Sequence, residues 1–117
     1  MAQGTVTCGL NGKKQVLAIN LFGTLTASGD PAAIVGQLTL DGKGNLSGLE
    51  TVSIDFSNSS LQVTGTYTQN ADCTGTMQMA AKGFSAANFN TVAVNAGKEL
   101  LLIETDANTL VGGNAQQ

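Results

Sequence analysis

A chain of 117 residues with 42% apolar and only 11% charged side chains makes one domain with one core, residues 1–117. Its polar surface must come from Thr, Ser, Asn and Gln rather than from charge. A net charge of −3, from five lysines with no arginine and no histidine, argues against nucleic acid or an anionic membrane surface, and no apolar run is long enough for membrane insertion.

Met1-Ala2-Gln3-Gly4 reads as an initiator methionine set before a processed mature end. Cys8 and Cys73 are the only cysteines, far apart, without CxxC spacing and with no histidine to complete a zinc site. They are either a disulfide, which belongs to an oxidising compartment, or a pair of buried free thiols. Strand alternation then begins. The first strand is predicted over residues 15–26, with Gly23 as a bending point, and the second over 35–40. Asp41-Gly42-Lys43-Gly44-Asn45 supplies a tight turn. In the third strand Leu46, Gly48, Glu50, Val52, Ile54 and Phe56 share a face. Ser57-Asn58-Ser59-Ser60 reads as the next turn, and Leu61, Val63, Gly65 and Tyr67 as the inner face of a fourth strand. After Asn70-Ala71-Asp72, Gly75, Met77, Met79 and Ala81 alternate with polar residues. Residues 84–88 have room for one helical turn. Strands over 89–94, 98–105 and 109–115 follow, separated by Asn95-Ala96-Gly97 and Asp106-Ala107-Asn108.

Short connections in chain order pair each strand with the next. The expected fold is therefore all-β, an antiparallel up-and-down meander of about eight strands closed into a barrel, with a β-sandwich as the alternative. Cys8-Gly9-Leu10-Asn11-Gly12 and the stretch from Gly36-Gln37-Leu38 through Asp41-Gly42-Lys43-Gly44-Asn45 to Leu46-Ser47-Gly48 carry a resemblance. Gly65-Thr66-Tyr67-Thr68, Asn70-Ala71-Asp72-Cys73-Thr74-Gly75-Thr76 and Gly97-Lys98-Glu99-Leu100 continue it. Over most of its length the chain resembles small secreted bacterial β proteins of unknown function. That resemblance implies a calycin-like barrel, similar in outline to lipocalin and allene-oxide-cyclase barrels, with the two cysteines paired. It departs from the group at Lys13-Lys14-Gln15, where an aromatic residue usually opens the first strand.

The chemistry is defined first by missing parts. Without histidine there is no Ser-His-Asp or Cys-His nucleophile, and without arginine no bidentate anion clamp. No glycine-rich phosphate loop follows a strand. The loop from Asp41 to Asn45 lacks a calcium loop's donors, with Lys43 at the third position and Val52 at the twelfth, so neither a metal nor a cofactor is expected. Asn45-Leu46-Ser47 and Asn58-Ser59-Ser60 fit the glycosylation pattern, which short triplets match by chance. Glu50 breaks the local rule, because an unpaired carboxylate on an apolar face costs several kcal/mol unless it protonates or finds a partner. Glu104 raises the same question beside Leu100 and Leu102.

The expectation is a secreted or periplasmic, non-enzymatic barrel that binds a partner or self-associates. The alternative is an interior lined by Glu50, Phe56, Val63, Tyr67, Met77 and Met79 that holds a small apolar ligand, or steers a reactive intermediate as a cofactor-free isomerase or cyclase would. If Glu50 lines the interior, Tyr67 on the same face of the next strand is placed to donate a hydrogen bond to it. The favoured alternative sets Glu50 near the barrel mouth, solvated or paired with a lysine.

Overall fold

Each alternating segment can bury only one face, and eight such segments close on one another. The computed structural model describes residues 8–10 and 12–117, so Met1-Ala2-Gln3-Gly4 and Asn11 lie outside the described residues. The strands are β1 (Gln15–Leu25), β2 (Asp30–Leu40), β3 (Asn45–Ile54), β4 (Ser57–Gln69), β5 (Thr74–Ala81), β6 (Ala87–Val94), β7 (Glu99–Glu104) and β8 (Thr109–Gln116). Every strand pairs antiparallel with the next, and β1 pairs with β8 from Ala18–Gln116 to Leu25–Thr109. That last ladder makes the fold a barrel rather than a sandwich, because it removes the edge that two open sheets would leave.

The register sets the bore. One row of partners runs from Ser59 through Val52 and Ile34 to Leu21, then through Gly113, Leu102, Thr91 and Gly75 to Gln69. It returns to β4 displaced from Ser59 to Gln69, a stagger of ten residues. With the usual rise along a strand and spacing between strands, that stagger tilts the strands by ~40° to the axis. An eight-stranded barrel so tilted can fill its interior or keep room for one small ligand. Leu17, Ile19, Leu21, Leu38, Leu40, Met77, Phe89, Leu100 and Val111 point inward and are almost fully buried. Between them, outward positions such as Thr64, Thr66, Gln78 and Asn90 are exposed. This apolar-inside arrangement is the reverse of a barrel that crosses a bilayer.

Four sequence expectations change. Residues 84–88 form no helical turn: 82–86 are a loop and Ala87 already starts β6. β2 begins five residues earlier than predicted, with Pro31 near its start, where a missing N–H is tolerated. Ser57-Asn58-Ser59-Ser60 is strand rather than turn, paired with Val52, Ser53 and Ile54 and with Thr51 opposite Ser60. The turn is the two residues Asp55 and Phe56, at φ 50° and 66°, the left-handed pair that a two-residue hairpin requires. These four serine- and asparagine-rich residues are all exposed, so there the β3–β4 hairpin has no core to pattern it.

One end of the barrel is sealed by the segment before β1. Leu10 is buried, and its N–H donates to Gln69 Oε1 at 3.2 Å. Gly42 N–H donates to the Tyr67 hydroxyl at 2.8 Å, and that hydroxyl donates on to the Leu10 carbonyl. Gln15 Nε2 donates to the Gly9 carbonyl, and Gln117 Nε2 to Gln15 Oε1. A disulfide joins Cys8 to Cys73 and fastens the plug to the β4–β5 turn. Gly9 and Gly97 let the plug touch the β6–β7 turn, since a Cβ on Gly9 would sit 1.8 Å from the Ala96 carbonyl oxygen. Apart from Gln69 Nε2, the buried polar side-chain atoms described at this end find partners, and the interior beneath it is closed.

Candidate functional site

The opposite end is hollow. The last inward residues of β1, β3, β5 and β7 and the first of β2, β4, β6 and β8 line a cavity of about 170 Å³. Its walls are chiefly apolar, with Ile34, Ile54, Val63, Met79 and Phe89 among them, and Phe84 of the β5–β6 loop stands at its mouth. Two carboxyl groups interrupt this lining, Glu50 from β3 and Glu104 from the end of β7.

Glu50 points inward because alternation from Leu46 and Gly48 leaves it no other face. It lies opposite Gly36 on β2 and Leu61 on β4. Gly36 makes room for it: a Cβ there would lie 3.1 Å from Glu50 Cγ and 2.2 Å from the Leu49 carbonyl oxygen. Glu50 is 6% exposed, and its Oε1 has no hydrogen-bond partner. The other buried side-chain atom without a partner among the described residues, Gln69 Nε2, belongs to the sealed end. Burial alone raises the Glu50 carboxyl pKa, because the neutral acid loses less hydration than the anion.

Glu104 is half-buried at the rim. Burial, then a hydrogen bond and charge repulsion from Asp106, push its pKa up to about 7. Asp106 is held below the usual carboxylate range by Asn88, whose N–H and Nδ2 donate to its two oxygens at 2.8 and 2.7 Å, and it keeps the charge while Glu104 keeps the proton. The cavity therefore presents one deep acid without a partner and one acid at its rim that titrates near neutrality.

Of the residues expected to line the interior, the structure brings Glu50, Val63 and Met79 together at this cavity. Met77 and Tyr67 are buried on the same inner face but belong to the filled part of the barrel. Tyr67 does not reach Glu50. Glu50 is level with Leu61, and Tyr67 stands six positions beyond Leu61 on β4, ~20 Å along the strand. Phe56 lies outside altogether, 88% exposed in the β3–β4 turn, because the two left-handed turn residues break the alternation that placed it inside. Sequence reasoning did not assign Ile34, Phe84 or Phe89 to the site. Alternation marks the inner face of β6, but only the register shows that Phe89 shares a level with Glu104.

The comparisons with known proteins come back empty. No protein-family model, curated protein or solved structure matches the chain. The functional reading therefore rests on the cavity, its two acids and the disulfide.

Proposed function

We propose that this barrel is a carrier or receptor for a small, mainly apolar molecule, held in the cavity at its open end. The observation that supports this reading is the unfilled space itself: in a fold whose other end is packed shut, about 170 Å³ of apolar-lined volume is left open. A cavity of roughly 150 Å³ accepts benzene, so the ligand is a single ring or a branched chain of similar bulk. The disulfide supports a working place outside the cytoplasm, where thiols stay oxidised. Binding needs only the space and its lining. A cyclase or isomerase would also need a reactive geometry, and the fold by itself does not supply one.

Calorimetry and thermal melts with toluene test the reading. Saturable binding and a concentration-dependent rise in Tm are expected for the native protein, and both should vanish when Ala32→Leu fills the cavity in a protein that still gives a β spectrum. Toluene binding that survives the filled cavity, or no binding to the native protein, would overturn it.

A second reading, self-association, draws on the outer surface. Ile103 and Phe22, 47% and 62% exposed, flank Gly112 across β7, β8 and β1. With exposed Leu110 they form an apolar spot on a surface of low net charge. Sedimentation of the native protein and of Phe22→Ser would separate a dimer held by this spot from a monomer.

A further inference from the structure

We infer that the ligand of this cavity carries a primary amine, and that its ammonium group is met by Glu50, whose buried Oε1 has no partner among the described residues. The inference rests on the cavity-binding reading and adds the chemical class of the ligand. An enclosed polar atom without a partner is costly, and a ligand that supplies the missing donor recovers that cost on binding. Next to Glu50 on its own and the two flanking strands no inward-facing side chain is a donor, and the other polar side chains of the lining, Ser85 and Glu104, come from the β5–β6 loop and β7. β2 presents Gly36 and Ile34, β4 presents Leu61 and Val63, and β3 itself presents Val52 and Ile54.

The charge of the lining selects among donors. Glu50 and Glu104 are the only ionisable side chains among the described residues that line the cavity. The other charged groups of the open end are Asp106, which faces Glu104, the partly buried Asp30 and the exposed Asp55 and Lys82, none of which lines it. A carboxylate ligand would bring a third acid into an apolar space that already holds two. An ammonium instead gives Glu50 a charge-assisted hydrogen bond in a low-dielectric site, with the ring or chain left to Ile34, Val63, Met79 and Phe89. The ammonium favours the carboxylate form, so an entering amine shifts Glu50 away from the neutral form that burial favours. Affinity for the amine therefore rises with pH until the amine itself begins to deprotonate.

Four probes of nearly equal size test this by calorimetry at pH 6 and pH 8: benzylamine, benzyl alcohol, toluene and benzoate. Benzylamine is expected to bind roughly ten- to hundredfold more tightly than toluene and benzyl alcohol, with benzoate weakest. The advantage should be larger at pH 8. Glu50→Gln keeps the shape of the side chain and should remove most of that advantage, while toluene affinity stays within about threefold. Equal or tighter binding of benzyl alcohol or toluene in the native protein, or benzylamine affinity unchanged in Glu50→Gln, would overturn the amine assignment and leave the cavity reading standing. If none of the four binds, both fall together.

Discussion

Replacing Glu50 with methionine should make the protein more stable. Methionine is unbranched and can follow the same path over Gly36 while removing the oxygen that lacks a partner. Leaving a buried polar atom unsatisfied costs about 1–3 kcal/mol, so a gain of about 2 kcal/mol is expected from Glu50→Met. For a chain of 117 residues the unfolding entropy at the midpoint is ~0.25 kcal/mol per degree, which converts that gain to a rise in Tm of about 8 °C. The gain should depend on pH. In the unfolded chain Glu50 ionises near its ordinary value of 4.5, whereas in the folded protein it holds its proton to higher pH. Native protein thus loses stability as pH rises above 4.5, and the methionine variant does not share that loss. Differential scanning calorimetry at pH 5 and pH 8 should show the larger gain at pH 8. A lower Tm for Glu50→Met, or a gain identical at the two pH values, would refute the picture of a desolvated acid in an apolar cavity.

Glu104 should act in the same direction: stability falls as pH climbs from 4.5 to about 7, and Glu104→Gln flattens that part of the Tm–pH curve. Reducing the disulfide or replacing both cysteines with serine opens a link between residues 65 apart, which should cost about 4 kcal/mol in urea unfolding by loop entropy. Tyr67→Phe leaves the buried Gly42 N–H without its acceptor, so a loss of about 1–3 kcal/mol is expected in chemical denaturation, with toluene binding at the far end unchanged. Phe56→Gly relieves a left-handed φ at an exposed turn and should alter neither toluene affinity nor, by more than about 1 kcal/mol, stability.

Alternation made the barrel legible wherever a strand has one face against the core. All eight predicted strands fall on observed ones, and the inward aim of Glu50 follows from its place between Gly48 and Val52. Where the chain leaves the core the signal disappears. Residues 57–60 pair as a strand, yet every side chain is exposed, so their serines and asparagine look like a turn. Asp55 and Phe56 turn the chain with left-handed backbones that the alternating pattern does not foretell. Depth along the barrel was also illegible. Periodicity assigns Tyr67 and Glu50 to one face, but only the β3–β4 register puts the tyrosine under the plug and the glutamate beside the cavity. The plug itself has no periodicity, so burial of Leu10 had no signal in the sequence.

Methyl NMR during a toluene titration tests the cavity most directly. The methyl groups of Ile34, Ile54, Val63 and Met79 should shift together along one saturable curve, while Leu17 and Leu40 in the packed interior and Leu110 on the outer surface stay still. Saturable shifts centred on Leu110 and Ile103, or no saturable shift at the four cavity residues, would contradict a ligand site inside the open end of the barrel.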